Sequence, residues 1–253
     1  MVLIHGWGLH GGIWDTLAPL LEPAFRVTRV DLPGYGRSAW QGDEDLDGLA
    51  RTVLESVPER AACIGWSLGG LVAAQAALIR PARIERLVLI AATPSFVCRP
   101  DWPAAMPPAL LEVFAADLRH DYLRTLHRFL ALQVRGSDAA GAVLRELRAR
   151  LLEYGPPAPA ALLAGLDILR STDLRDRLAA ITCPVLFLMG ALDTLAPAAA
   201  ARQAARLLPD ARVEVIPGAG HAPFLARPAL VSGVISDFLR PMQAHPAGQT
   251  HAG

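Results

Sequence analysis

Six short apolar runs recur along this chain, at Val2 to Ile4, Val27 to Val30, Ala61 to Ile64, Leu87 to Ala91, Val185 to Met189 and Val213 to Ile216. Most of them lack a strict alternation of apolar with polar residues, as strands do that are buried on both faces, and the helical stretches between them can supply that cover. The pattern predicts an α/β fold, a mainly parallel sheet flanked by helices. The helices are expected at Ile13 to Leu21, Asp45 to Val57, Leu68 to Ile79, Ala198 to Leu208 and Ala229 to Leu239. A hydrophobic fraction of 53% over 253 residues is enough for one large domain with a sizeable core.

The rhythm breaks after Thr93. A Pro-rich entry (Pro94, Pro100, Pro103, Pro107, Pro108) leads into amphipathic helices without strand signals, and strands resume near residue 181. This divides the chain into a sheet domain at 1–93 and 181–240, a helical cap at 94–180 and a polar tail at 241–253. Within the cap, Leu123, Leu126, Phe129, Leu130 and Val134 recur at helical spacing, as do Leu144, Leu147, Leu151 and Leu152.

Charge narrows the partners. Basic and acidic residues balance at 24 each, with no Lys present, which excludes a global pull toward nucleic acid or membrane. The cap departs from this balance: between Arg119 and Arg150 stand seven Arg and three acids. Arg124 with Arg128 (i, i+4) and Arg145 with Arg148 (i, i+3) can share helix faces suited to an acidic partner. A solvated Arg-rich face is the alternative. Cys63, Cys98 and Cys183 are odd in number and widely spaced, Cys63 and Cys183 in strand-like runs, as suits free thiols in a reducing cytoplasm. The chain opens without a signal-like or membrane-spanning stretch, so a soluble monomer is expected.

The chemistry concentrates at Gly65-Trp66-Ser67-Leu68-Gly69, which follows an apolar strand and opens a helix. A sharp turn there raises a serine above the sheet edge, and the two glycines let the flanking backbones approach. Ser67 is the candidate nucleophile; a Gly-rich turn with an incidental serine is the alternative. A serine hydroxyl needs a base, and His221, in Pro217-Gly218-Ala219-Gly220-His221 after the last strand, is placed to supply it. His120, His127, His245 and His251 lie in the cap or tail. Asp193, after the preceding strand, fits the orienting acid, with Asp31, Asp167 and Asp173 as alternatives and a turn-capping carboxylate as the bland reading. An oxyanion hole needs two N–H groups: Leu68 follows the nucleophile, and Trp7 in His5-Gly6-Trp7-Gly8 is the natural second donor. Trp7 can also wall an acyl pocket or simply pack, and His5 reads as structural.

With these residues assembled, the chain resembles the α/β-hydrolase superfamily. Within it, the segments around His5, Asp31 to Ser38, Ser67, Arg128 to Gln133 and His221 to Phe224 resemble the pimeloyl-[acyl-carrier protein] methyl ester esterases of biotin biosynthesis. The resemblance implies a serine carboxylesterase acting without metal or cofactor on an acyl-carrier-protein-bound methyl ester. It gives substrate contacts to Trp7, Leu68, Phe129, Leu130, Ala131, Leu132 and Gln133, and it favours the docking-face reading of Arg124, Arg128, Arg145 and Arg148 over the solvated one. General short-chain carboxylesterases and other capped hydrolases share the same triad, and a non-catalytic ligand-binding or carrier-docking protein on the same scaffold is the alternative from another class, its signature a broken triad. The family also has antiparallel strands ahead of the His-Gly loop. Met1 lies only four residues before His5, so those strands are expected to be missing, leaving a sheet edge unpaired.

Overall fold

A computed structural model describes residues 1–42 and 45–240. In chain order its strands are β1 (Val2–Ile4), β2 (Thr28–Val30), β3 (Ala61–Trp66), β4 (Ile84–Ile90), β5 (Val185–Gly190) and β6 (Ala211–Ile216). Its helices are α1 (Ala18–Leu21), α2 (Leu46–Ser56), α3 (Leu68–Ile79), α4 (Pro108–His120), α5 (Tyr122–Gln133), α6 (Ala140–Leu151), α7 (Pro159–Ser171), α8 (Ala198–Ala205), α9 (Pro223–Ala226) and α10 (Pro228–Leu239). The strands form one six-stranded parallel sheet in the order β2-β1-β3-β4-β5-β6. The apolar runs predicted this because a strand covered on both faces has no use for polar alternation. Val2, Leu3, Ile4, Cys63, Ile64, Leu87, Val88, Phe187 and Leu188 are all buried. Burial pushes the Cys63 thiol up to about 12, so it packs as a small apolar group.

The strand order places the site. The chain runs from β1 outward to β2, then jumps back across β1 to β3 and continues the other way. Loops leaving β1 and β3 therefore diverge, opening a crevice at the carboxyl ends of these strands, where ligands bind in open α/β sheets. Register brings the strand ends level: Ile4 faces Gly65, Trp66 faces Ile90, and Gly190 faces Ile216.

Three details depart from the sequence pattern. The single helix expected over Ile13 to Leu21 is split into a 3-10 turn, Gly11–Thr16, and the short α1. Pro19 is the cause: it lacks an N–H and its ring would strike the preceding turn, so the helix restarts with Pro19 inside its first turn. Cys183 lies half-buried just before β5 rather than within a strand. α8 stops at Ala205, short of Leu208. Along its outer side β2 has no strand neighbour among the described residues, and Thr28 and Arg29 are exposed there. The tail assigned to 241–253 lies outside the described residues.

Helices α4 to α7 stand between β4 and β5 in sequence and close over the crevice. Their Pro-rich approach is ordered by a bridge between Val97 and Met106 and by the Trp102 indole N–H donating to Ser95 O at 3.0 Å. Buried Leu126, Phe129, Leu130, Leu147 and Leu151 form the apolar stripe that the helical spacing foretold, whereas Leu152 is exposed.

Candidate active site

Ser67 sits on the turn between β3 and α3 with φ 56° and ψ −118°. A non-glycine residue reaches this left-handed conformation only when its surroundings leave no alternative. Here the cause is steric. A Cβ on Gly65 would lie 2.1 Å from Gly69 O, and one on Gly69 would lie 2.4 Å from both His5 O and Ile4 O. Only glycines let the start of α3 press against β3 and the end of β1. The turn is pinned by the Ser67 N–H, which donates to Ile90 O at 3.0 Å.

Above this turn the structure brings together three side chains distant in sequence. The imidazole of His221 lies with Nε2 2.9 Å from Ser67 Oγ and Nδ1 2.8 Å from Asp193 Oδ2. A carboxylate oxygen accepts, so Nδ1–H donates and Nε2 is left to accept the serine hydroxyl proton. The second Asp193 oxygen accepts the N–H groups of Leu195 and Ala196 at 2.8 and 3.0 Å. Asp193 is therefore both a turn-capping carboxylate and the partner of His221, and its burial is compensated by three donors. The alternative acids are engaged elsewhere. Asp31 accepts from the Gly11 and Arg37 N–H groups. Asp167 pairs with Arg170, and Asp173 with Arg99 and Arg175. His120 and His127 lie on α4 and α5, while His245 and His251 fall outside the described residues.

The N–H of Leu68 begins α3 and the N–H of Trp7 lies in the turn after β1, and neither has an acceptor among the described residues. N–H groups left without an acceptor are available to a developing oxyanion. The Trp7 side chain has a separate task. It is buried, its indole N–H donates to Leu162 O of α7 at 2.8 Å, and its ring meets Phe129 edge-on with centroids 4.8 Å apart. His5 is structural. Its Nε2 accepts the Leu32 N–H at 2.9 Å, which leaves Nδ1–H to donate to Gly6 O at 2.8 Å. Burial, above all, lowers its pKa to about 4.

On α5 the expected contact stretch divides by helical geometry. Phe129, Leu130 and Gln133 are buried, Leu132 is partly so, and Ala131 faces solvent. Gln133 Oε1 has no hydrogen-bond partner and its backbone carbonyl accepts the His221 N–H at 2.9 Å. The four arginines divide too. Arg128 pairs with Asp117 of α4, while Arg124, Arg145 and Arg148 are exposed and make no ion pair among the described residues. Arg150 is committed to Asp15, Glu146 and Glu153 and fastens the end of α6 to the core. Among the described residues no cluster of three or more His, Cys, Asp or Glu is placed to hold a metal ion, and no helix is long and apolar enough to cross a membrane.

Two contacts on His221 have no local sequence signature: the Gln133 carbonyl, and the Trp66 indole N–H, which donates to His221 O at 2.7 Å. The presence of a tryptophan beside the serine was the only available hint of the second.

A parallel sheet, a serine on a strained strand-to-helix turn, and an acid and histidine following in that order define a class. The chain belongs to the alpha/beta hydrolase family, whose family model matches residues 1–234. Within that class its sequence is 45% identical over 228 residues to the pimeloyl-[acyl-carrier protein] methyl ester esterase of Nitrosomonas europaea, covering 90% of each chain. It is 44% identical over 238 residues to the protein of the same name from Edwardsiella ictaluri, covering 94% of this chain and 92% of that one. Among solved structures, a hydrolase from Pseudomonas aeruginosa PA01 matches with a TM-score of 0.79 and 30% identity, over 95% of this chain and 89% of that one. The resemblance that the motifs suggested is borne out over most of the chain.

Proposed function

We propose that this protein is a serine carboxylesterase that hydrolyses the methyl ester of pimeloyl-[acyl-carrier protein] to pimeloyl-carrier protein and methanol, a step of biotin synthesis. The observation that carries the chemistry is the continuous hydrogen-bonded chain from Ser67 Oγ through His221 to Asp193. The relatives' names support the substrate.

His221 Nε2 takes the Ser67 proton as Oγ attacks the ester carbonyl, and the carbonyl π electrons move onto oxygen. The Leu68 and Trp7 N–H groups hold that oxyanion. Collapse of the intermediate expels methoxide, which leaves as methanol with the proton from His221. Water, deprotonated by the same imidazole, then attacks the acyl-enzyme, and Ser67 departs with its proton restored. Asp193 keeps Nδ1–H in place throughout and stabilises the imidazolium. The scheme draws on no metal or organic cofactor.

The reading gives contact with the pimeloyl chain to Trp7, Leu68, Phe129, Leu130, Leu132 and Gln133. Ala131, on the exposed face, takes no part in it. It divides the chain into a hydrolase core at 1–93 and 181–240 and a cap at 94–180, supported by the position of α4 to α7 between β4 and β5. The exposed Arg124, Arg145 and Arg148, with Arg128, form the docking face for the acidic carrier. A monomer acting in the cytoplasm completes the reading, supported by three unpaired cysteines.

Comparing kcat/KM on carrier-linked pimeloyl methyl ester and on p-nitrophenyl acetate tests this reading. Arg124→Glu with Arg128→Glu should cut the carrier-linked value by about ten- to a hundredfold, the cost of opposing charge at a docking face, and spare the small ester. Equal losses on both substrates would defeat the docking assignment, and a wild-type protein that favours the small ester would defeat the substrate.

A further inference from the structure

His221 is held from two sides. Its C=O accepts the Trp66 indole N–H from the core, and its N–H donates to Gln133 O at the end of cap helix α5. The loop leading to it, residues 217–221, is gripped by the segment that joins α5 to α6. Gly218 O accepts two donors from that segment, the Asp138 N–H at 3.0 Å and the Ser137 hydroxyl at 3.2 Å. There is little room for adjustment. A Cβ on Gly220 would lie 2.8 Å from Gln133 O, and Gly218 holds a φ of +69°, a conformation an L side chain adopts only with strain; the Asp138 Oδ2 that would lie 2.0 Å from a Cβ there is the exposed end of a side chain and can turn aside. From the other side, a Cβ on Gly190 at the end of β5 would lie 2.0 Å from Gly220 O. The base loop therefore occupies a slot with the sheet as one wall and the cap as the other.

We propose that Ser137 and the Asp138 backbone N–H are positioning groups that act through Gly218 to keep the His221 imidazole on Ser67 Oγ, making the α5–α6 segment of the cap a working part of the acid–base machinery. The proposal rests on the reading of Ser67, His221 and Asp193 as the catalytic triad. Neither group touches the reacting atoms; both act on the backbone that carries His221. The Asp138 carboxylate contributes little, since its pair with Arg227 at 3.3 Å is solvent-exposed. The arrangement also ties acid–base competence to the seating of the cap, because lifting α5 would remove the Gln133 and Ser137 contacts together.

The test uses the full-length protein and p-nitrophenyl acetate, a substrate small enough to need no cap contact of its own. Gly218→Ala strains a backbone held at φ +69° and should shift the loop, lowering kcat by up to about a hundredfold, the scale of a misplacement near 1 Å. KM should change far less, and the melting transition should stay cooperative. Ser137→Ala should lower kcat by a smaller factor, and Ser137→Thr, which keeps the hydroxyl, should restore most of it. In both impaired variants the downfield proton resonance of His221 Nδ1–H should broaden or shift, a signature that a general loss of packing elsewhere would leave alone. Wild-type kcat together with an unchanged resonance in Ser137→Ala would overturn the proposal even if Gly218→Ala failed to fold. If Ser67→Ala retained turnover, the triad reading itself would fall, and this outcome is distinct from the others.

Discussion

The core and the cap hold their parts of the site by different means. In the core, Ser67 is placed by backbone packed on backbone: Gly65 against Gly69, and Gly69 against Ile4 and His5, at separations that admit no side chain. The cap is fastened by single hydrogen bonds and side chains. The Trp7 indole reaches Leu162 O, the Tyr35 hydroxyl reaches Ala161 O at 3.0 Å, and His10 Nε2–H reaches Arg150 O at 2.6 Å. Contacts of the first kind fix a geometry that shared chemistry requires, whereas contacts of the second kind can change with the substrate. The core therefore carries Ser67, Asp193 and His221, while the cap covers the crevice and, through Gln133 and the α5–α6 segment, braces the loop that bears His221.

Changes in the two regions should separate accordingly. Asp193→Asn, on the core side, should reduce kcat about 10⁴-fold on carrier-linked and free esters alike, because the imidazole is left in the wrong tautomer. A loss confined to one substrate, measured with both in parallel, would blur the division between core and cap. Charge reversal at Arg124 and Arg128 is the smaller, substrate-selective counterpart on the cap side. The smallest effect on turnover is expected at His5, which concerns the fold. Its pKa is about 4 when folded and near 6.5 when free, so between these values the unfolded chain binds more protons. Stability should thus be intact above about pH 6.5 and fall progressively as pH drops toward 4, with a total cost on the order of 3 kcal/mol. Melting curves of wild type and His5→Asn across that window check this, the wild type losing stability more steeply as pH falls. Parallel curves would remove His5 from the account.

What was legible in the sequence follows the same division. Ser67, Asp193 and His221 each stand just past an apolar run, and parallel register brings those strand ends to one edge. Position after a strand was therefore enough to gather them. The hold on His221 was hidden because Gln133 contributes its carbonyl, which every residue possesses. The arginine count was sound as a count, but ion pairing depends on neighbours outside the window: Asp117 of α4 takes Arg128, and Asp15 of the core takes Arg150. Ala131 fell into a contiguous contact stretch that helical geometry splits between the interior and solvent.

In the proposed reaction Ser67, activated by His221 and Asp193, opens a methyl ester presented by a carrier protein. Methanol release from pimeloyl-carrier-protein methyl ester tests it most directly, with wild type and Ser67→Ala compared at equal enzyme concentration. The wild type should release one methanol per carrier, and the variant, which keeps the oxyanion donors and loses the nucleophile, should do so at a rate lower by roughly 10⁴-fold or more. Methanol released at a comparable rate by Ser67→Ala, or none released by the wild type, would contradict it.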